Sequence, residues 1–371
     1  MASKKSIKPV IQIQAHPDRV ILALEQKGFF VGLMTDGKTS KKEASHAGEF
    51  PALVKISTVA WVDYVTDDIR KEAPAIAKEL GFSDALIANL LKNPRSGYED
   101  FDTEMGMMIP AIVIEGFDVG LDPLLILVRD NLVATIHTTE LRRFFRLRRY
   151  AESFMRKIKL KLPTRDKISL ILIRIIDENN ARNFDHLRQI EENADKLSEQ
   201  LSDPTTPRQI IGPQIHDMKH ALIMYLSGLW ETVDVLNTLR YGDPEVLSDE
   251  PKLLARVGVL ITEVHTQIGL AEHLSNVLAS GLEVMQSIYN NQLQVLNNKM
   301  AILVAYMTIL GTAVLVPNTL ATILSNPAYQ LTPADAGWYS LLMVLSTFVA
   351  TFIAYWWVKR KGLLPGRPDA D

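Results

Sequence analysis

Two long apolar runs near the C-terminal end constrain this chain more than any other feature. They span residues 301–324 and 336–358, and a short polar loop separates them. A helix needs about 20 residues to cross a hydrocarbon core of about 30 Å, and both runs are long enough. The sequence before them is charged and periodic, as in soluble proteins. The chain is therefore predicted to be a large aqueous domain attached to a membrane hairpin.

Aromatic residues mark both ends of the second run. Trp338 and Tyr339 lie at its start, and residues 355–357 read Tyr-Trp-Trp at its end. Tryptophan and tyrosine concentrate at the depth of the lipid headgroups. The pattern is typical of a transmembrane helix rather than of a buried helix in a soluble core.

The charges that flank the two runs predict their orientation. Lys299 precedes the first run and residues 359–361 (Lys-Arg-Lys) follow the second, whereas the loop carries Asp335 alone. Lysine and arginine flanks remain on the cytoplasmic side. We therefore expect a multi-pass protein of the inner or plasma membrane with both termini in the cytoplasm. The chain has no cysteine, which agrees with a cytoplasmic main domain.

The remaining sequence divides by its pattern into several regions. We predict an α+β cytoplasmic domain with a helical layer, a long stalk helix and two C-terminal transmembrane helices. The bounds are 1–140 for the α/β domain, 141–248 for the helical layer, 249–299 for the stalk, 300–324 for the first span, 325–336 for the external loop, 337–358 for the second span and 359–371 for the basic tail.

Turn and cap signals place the main elements of the first domain. Three strand candidates, 107–114, 124–128 and 132–137, are spaced as consecutive antiparallel strands, and Pro110 assigns the first to a sheet edge. The apolar segment 53–56 resembles another short strand. Pro74 is predicted to start a helix that Gly81 ends, and Ser83 to cap the next helix.

The first span contains polar residues that a plain anchor would not need. They are Thr308, Gly311, Thr312, Pro317, Asn318, Thr319 and Thr322. A side-chain amide in hydrocarbon is unfavourable unless it faces another helix or water. Two interpretations remain open: close packing between helices, or one face of a polar pathway. Two helices cannot enclose a pore, so a pathway requires an oligomer.

The stalk becomes rich in amides where it approaches the membrane. Asn291 and Asn298 belong to this group, which can pack in a bundle or surround a hydrated vestibule. Nearer the start of the stalk, Glu263 and His265 are weak candidates for a cytoplasmic cation site or a pH sensor. Ordinary surface positions remain the alternative for both residues.

Other motifs give weaker indications of function. Residues 32–39 match the spacing of a phosphate-binding loop, but the following segment is too short and polar for its helix, and Asp36-Gly37 favours a hairpin turn. His216 and His220 lie four residues apart without a third metal ligand placed by the sequence. No arrangement of nucleophile and base stands out, so neither an enzyme nor a cofactor is predicted.

Charge gives no support for nucleic-acid binding. The formal net charge is −3. Basic residues do cluster between Arg142 and Lys161, where contact with RNA or lipid headgroups is one interpretation. The favoured interpretation is a solvated helix face, because acidic stretches follow directly.

Taken in order, several segments resemble the CorA-type divalent-cation transporter superfamily. The likeness covers nearly the whole chain, from a mixed cytoplasmic domain through one very long helix to a second span and a basic tail. The segments that carry it are Trp61-Val62-Asp63, the strands of 107–137, Leu172 to Asp177, Thr308 to Thr312 leading to Pro317-Asn318-Thr319, and Lys359 to Leu364. The resemblance implies a funnel-shaped homopentamer.

One departure from that family concerns the outer mouth. The family's Gly-Met-Asn signature, which holds a hydrated magnesium ion there, is absent from this chain. Leu324-Ser325-Asn326-Pro327-Ala328 stands in its place, and Asn326 is the candidate substitute. A recognisable acidic ion sensor on the stalk is also absent.

The resemblance implies transport of divalent metal cations, with magnesium as the leading ion. Thr308, Thr312, Asn318 and Thr319 would offer neutral oxygens to a hydrated ion in the pore. The expected partners are further copies of the chain, the lipid bilayer and the cation itself. Alternatives are zinc, cobalt or nickel, with proton coupling for a transition metal, and a membrane-tethered sensor or scaffold that transports nothing.

Overall fold

The structure, a computed structural model, describes residues 26–115, 118–202, 208–326 and 332–360. The chain divides into two compact units, Met1–Gly281 and Leu282–Asp371. Part of the external loop and the end of the basic tail lie outside the described residues.

Seven strands of the first unit form one mixed sheet in the order β2-β1-β3-β7-β6-β5-β4. Among the described strands, β3 and β7 are the one parallel pair, and β4 to β7 form a meander of antiparallel strands. The three predicted strands are confirmed in β5, β6 and β7. The bounds are β1 Gly28–Met34, β2 Thr39–Ala44, β3 Ser57–Thr66, β4 Gly97–Phe101, β5 Glu104–Glu115, β6 Asp118–Arg129 and β7 Leu132–Thr138.

Pro110 lies on a sheet edge only locally. Strand β4 pairs with β5 as far as Met108, so the first part of β5 has a neighbour on both sides. Beyond Met108 the described partner of β5 is β6 alone, and Pro110 lies opposite Pro123. Pro110 has no N–H, and at its position β5 makes no hydrogen bond to β4 that this N–H would be needed for.

Helices cover both faces of this sheet. On one face, the core that includes α1, α2 and α3 contains Ala60, Val62 and Tyr64, which are alternate residues of β3. On the other face, the sheet packs against α4, α5 and α7. The bounds are α1 Pro51–Lys55, α2 Ile69–Glu79, α3 Asp84–Leu90, α4 Arg142–Met155, α5 Thr164–Asn180, α6 Asn183–Ser202 and α7 Arg208–Tyr241.

Residues 32–39 form a hairpin and not a phosphate-binding loop. Strands β1 and β2 pair antiparallel across them, with Leu33 opposite Thr39. Gly37 has a φ of +84°, and its N–H donates to the Met34 carbonyl over 3.0 Å. A phosphate-binding loop needs a helix after the glycines, and this segment continues as a strand.

Two local predictions from the first domain were wrong. The apolar segment 53–56 is not a strand, because residues 51–55 form the short helix α1 after Pro51. Pro74 does not start α2, which begins at Ile69 with Asp68 as its cap. The Asp68 carboxylate accepts from the N–H groups of Arg70 and Lys71, which fixes the start five residues before the proline. The predicted Ser83 cap is confirmed.

The basic cluster after residue 141 is not simply a solvated face. Arg143 is buried and donates to the backbone carbonyls of Asn179 and Ile112. Arg148 is also largely buried and contacts Asp63 at 2.6 Å. Both arginines lie on α4 and attach it to its neighbours, so part of the basic charge stabilises the fold.

Two further helices contain the apolar runs. α8 extends without interruption from Pro251 to Leu324, and α9 extends from Ala336 to Arg360. Both are long and apolar enough to span a membrane, and their most apolar windows are almost entirely exposed. A soluble core helix would instead be buried.

Candidate functional site

The polar side chains of the first span share one face of α8. Successive residues of an α-helix are rotated by about 100°. On this geometry six residues fall within an arc of about 120° around the helix. We call them the polar arc: Thr308, Gly311, Thr312, Asn318, Thr319 and Thr322.

Within the arc, Thr312 and Asn318 lie at opposite edges and Thr319 lies between them. Thr308, Asn318, Thr319 and Thr322 are exposed, and Thr312 is half-buried. Ala301, Val304 and Leu315 are apolar interruptions on the same face. The polar positions therefore form a stripe along the span rather than a scatter around it.

Helix α9 packs beside the arc and not on its centre. Ala305 and Ile309 of α8 are buried with Val358 of α9, and Ala354 packs against them. Ala305 and Ile309 project about 20–60° beyond the Thr312 edge, so the rest of the arc points away from α9. Inside the second unit, the arc is thus left free to face water or further helices.

The threonine hydroxyls of the arc present acceptor oxygens outward. Each donates its proton to the carbonyl four residues earlier, as Thr308 does to Val304 at 2.9 Å and Thr319 does to Leu315 at 2.8 Å. Thr312 and Thr322 make the same contact. With the proton engaged, the outer lone pairs of the oxygen can accept from water. Such a stripe suits a hydrated cation, whose water molecules donate hydrogen bonds.

Pro317 lies within α8 beside Asn318. It has no N–H, so the carbonyl of Ala313 lacks its helical partner. The freed carbonyl and the neighbouring amide concentrate polarity near the C-terminal end of the span. Polar backbone at membrane depth is tolerated where it faces protein or water.

At the predicted outer mouth, Asn326 lies just after the end of α8. Its N–H donates to the Ile323 carbonyl at 3.2 Å, and the residue is exposed. Pro327 lies outside the described residues. Asp335 serves as a helix cap, because Thr332 N–H at 2.9 Å, the Thr332 hydroxyl at 2.7 Å and Trp338 Nε1 at 2.9 Å donate to it.

The amides before the span lie off the arc. Asn291 and Asn298 are exposed on α8, and they project about 40–60° beyond the Thr312 edge. Multiples of seven residues separate both asparagines from Thr312 and Thr319. Because seven residues are close to two full helical turns, the angle between the asparagines and the arc increases slowly along the helix. The structure therefore does not place them directly in line with the arc.

Glu263 and His265 do not form a common site within one chain. Both are exposed, and a separation of two residues directs them to opposite sides of α8, about 200° apart. The ring of His265 instead contacts Trp230, with centroids 5.9 Å apart. Among the described residues, no group of three or more histidine, aspartate and glutamate side chains is suited to hold a metal ion.

The structure adds two positions to the candidate site, Gly311 and Thr322. Both were visible as polar interruptions of the first span, but neither was among the predicted pathway residues. A 3.6-residue period applied to the polar positions of the span would have found them. The face is therefore readable from sequence once the helix is known to be continuous.

Comparisons with known proteins agree with this architecture. The sequence matches the model of the family described as CorA-like Mg2+ transporter protein over residues 57–360. No curated protein matches the sequence of this chain.

Solved structures show the same fold at low sequence identity. The complete CorA magnesium transporter of Methanocaldococcus jannaschii is 19% identical, with a TM-score of 0.66, over 91% of this chain and 98% of that one. The full-length CmaX protein is 13% identical, with a TM-score of 0.62, over 90% and 96%. The cytoplasmic domain of ZntB from Vibrio parahaemolyticus is 14% identical, with a TM-score of 0.52, over 71% and 98%.

Proposed function

The chain belongs to the CorA-like Mg2+ transporter family, whose members are integral membrane transporters of divalent cations and not enzymes, and from this premise we propose that it transports magnesium through a homopentameric pore. The polar arc of α8 is the observation that carries the proposal. It offers a stripe of neutral oxygens along a membrane span that is otherwise apolar.

The chemistry of the arc fits a hydrated hard cation. Magnesium prefers oxygen ligands and loses its water reluctantly. Hydroxyl and amide oxygens can accept from the ion's water shell without binding the bare ion tightly. The arc contains no carboxylate, and that favours passage over retention.

Assembly is required because the two spans of one chain cannot enclose a pathway. Several copies of α8 would have to surround a common axis with their arcs inward, and α9 would lie outside them. The resemblance of the sequence to CorA-type transporters supports five copies. The exposed amide of Asn318 supports an inward orientation, because an amide facing lipid would be costly.

We assign the outer mouth to Asn326, which takes the position of the family's Gly-Met-Asn signature. A ring of five such amides would offer carbonyl oxygens to an entering hydrated ion. Asp335 is a poor alternative because its carboxylate already caps a helix.

The test is ion flux into liposomes that contain the purified protein. We expect magnesium uptake, and we expect Asn318→Leu to reduce it at least tenfold because an apolar side chain removes an acceptor from the stripe. Leu310→Ala on the opposite face of the same helix is the control and should retain the flux. Assembly of both variants is checked by size-exclusion chromatography.

The same assay separates the alternatives. Equal magnesium flux with and without Asn318→Leu would show that the pathway is assigned to the wrong residues. Faster flux of zinc, cobalt or nickel than of magnesium would favour a transition-metal transporter. Absence of flux for all four ions would favour a membrane-tethered sensor or scaffold.

A further inference from the structure

A cavity of about 260 Å³ lies inside the first unit, where α7 ends and α8 begins. Helix α5 forms one side of it, and the loop 242–250 that joins α7 to α8 forms another. An engineered cavity of about 150 Å³ holds benzene, so this one has room for a ring with a short chain. Most of its wall is apolar and buried: Leu172, Ile173, Leu239, Leu247, Leu253 and Val257.

Hydrogen bonds hold the connecting loop against α5. The N–H of Ser248 donates to Ser169 Oγ at 3.0 Å, and the Ser248 hydroxyl donates to the carboxylate of Asp166. Both serines are buried and line the cavity. Because these bonds fix the loop, the cavity is formed before any ligand enters, as is usual for small-molecule sites.

Two aspartates of the same loop line the cavity where it opens to water. Asp243 and Asp249 are both exposed. Asp243 has a φ of +52°, a left-handed conformation that aspartate adopts more readily than most residues. A hydrogen bond with the Asp243 carboxyl group raises the pKa of Asp249 above its usual range, and the charge of Asp243 adds to this effect. A cation beside the two carboxyl groups would therefore stabilise their ionised forms.

The loop itself supplies no such cation. Residues 243–250 carry four acidic side chains and no basic one. Arg165 lowers the pKa of Asp249 to a smaller extent, but its guanidinium pairs with Glu245 at 3.2 Å. Among the described residues, no basic side chain forms an ion pair with Asp243 or Asp249. The opening of the cavity is thus acidic above an apolar interior.

Arg240 also lines the cavity, but α8 and an aromatic ring hold its side chain. The guanidinium lies over the ring of Tyr241, 5.2 Å from its centroid. It also packs so closely on Gly258 that a Cβ added there would lie 2.8 Å from Arg240 Nη1. Arg240 is therefore engaged by its own neighbours and leaves the two aspartates without a counter-ion.

We propose that this cavity binds a small amphipathic organic cation, with its apolar body among the buried leucines and its ammonium group at Asp243 and Asp249. The inference concerns the first unit alone and does not depend on the pore assignment. An occupant would contact Leu253 and Val257 in the first two turns of α8, the helix that continues into the first membrane span.

Hydrogen–deuterium exchange of the full chain in detergent, with 2-phenylethylamine as the probe, tests the proposal. This amine is protonated at neutral pH, and 2-phenylethanol and 3-phenylpropanoate are its neutral and anionic counterparts. We expect the amine to slow the exchange of residues 239–257 at a concentration on the order of tenfold lower than the alcohol, because it gains a charged hydrogen bond. Exchange is measured peptide by peptide, so uptake of a probe by detergent does not imitate binding.

The double variant Asp243→Asn, Asp249→Asn removes both charges and keeps the size of the side chains. Asparagine also tolerates the left-handed backbone at position 243. We expect half-maximal protection to need on the order of tenfold more amine, with the response to the alcohol unchanged. Glu250→Gln is the matched control, since it removes a charge from the same loop outside the cavity wall, and it should retain the response to the amine.

A third variant fills the cavity itself. Leu254 is half-buried in its wall, and Leu254→Phe should weaken protection by the amine and by the alcohol alike. Absence of protection by the amine, equal protection by amine and alcohol, or an amine response that survives the double variant or Leu254→Phe would each overturn the proposal.

Two further probes identify a different ligand class. Stronger protection by 3-phenylpropanoate than by the amine would assign the cavity to an anion held by Arg240. Protection of residues 239–257 by magnesium chloride alone, if it is lost in the double variant, would assign the two aspartates to a metal ion. Either result would overturn the binding of an organic cation.

Discussion

At the scale of single residues, burial makes one histidine, His186, a source of pH-dependent stability. His186 on α6 is largely removed from water and lies near Arg143 and Arg182. Burial, and to a smaller extent the positive charges of Arg143 and Arg182, lower the pKa of His186 to about 4. Its Nδ1 is buried without a hydrogen-bond partner in the described residues, which agrees with a neutral ring.

His186 therefore predicts a loss of stability in mild acid. An unfolded chain takes up this proton near pH 6.5, but the folded chain does so only near its lowered pKa of about 4. The stabilisation is complete above about pH 6.5 and is lost as the pH falls toward 4, at a cost of about 2 kcal/mol at pH 5. Thermal unfolding of the first unit at pH 7 and pH 5 measures this loss.

The variant His186→Gln should reduce the difference between the two pH values, because glutamine does not titrate. His46→Gln at an exposed position is the matched control and should leave the difference unchanged. If the His186→Gln protein loses as much stability between pH 7 and pH 5 as the unmodified protein, burial of His186 is not the cause.

The arginines of α4 illustrate what local sequence could not reveal. Arg143 and Arg148 stand in a run of basic residues that resembles a solvated face, and nothing local distinguishes them from the exposed Arg146. Their partners are far away in sequence, at Ile112 and Asn179 for Arg143 and at Asp63 for Arg148. By contrast, the Ser83 cap and the hairpin at Gly37 depend on neighbours within three residues, and both were predictable.

At the scale of elements, close approach between α3 and β5 requires a glycine. A Cβ added at Gly106 would collide with Leu90 Cδ1 and lie 3.0 Å from Leu127 Cδ2. Leu90 and Leu127 are fully buried, so neither can move aside freely. On α8, by comparison, a Cβ added at Gly269 would meet nothing within 4 Å.

The same substitution is thus predicted to have opposite effects at the two glycines. Gly106→Ala should lower the free energy of unfolding of the first unit by about 1–3 kcal/mol through overpacking. Gly269→Ala should raise it by about 0.5–1 kcal/mol, because alanine restricts the unfolded chain and favours helix. Thermal unfolding of both variants measures the two changes in stability. Changes of the same sign and size would contradict the packing argument.

Element type followed from sequence more readily than element bounds. The consecutive antiparallel strands and the long helix into the membrane were predicted because their periodicity extends over many residues. The type of α1 and the start of α2 were not predicted. Pro51 begins a helix in a segment that resembles a strand, and Asp68 caps α2 five residues before Pro74. The polar residues of the arc could be identified from the sequence, and the geometry of a continuous helix then placed them on one face.

At the scale of the whole molecule, the distribution of charge decides how the chain crosses the membrane. Lys299 lies before the first span, and Lys359 and Arg360 lie in the last turn of α9. Among the residues between the spans, only Asp335 is charged, and its carboxylate caps a helix. Moving several cationic side chains across the bilayer is unfavourable, so we predict that the end that carries them stays in the cytoplasm.

The absence of cysteine allows a direct test of this orientation, because the unmodified chain gives no background labelling. We predict that Ser325→Cys reacts with a membrane-impermeant maleimide in intact cells. Lys359→Cys should react only after the membrane is permeabilised, since it lies beyond the opposite end of the hairpin. The reverse pattern would place the basic flanks outside, and the cytoplasmic assignment of the first unit would then have to be abandoned.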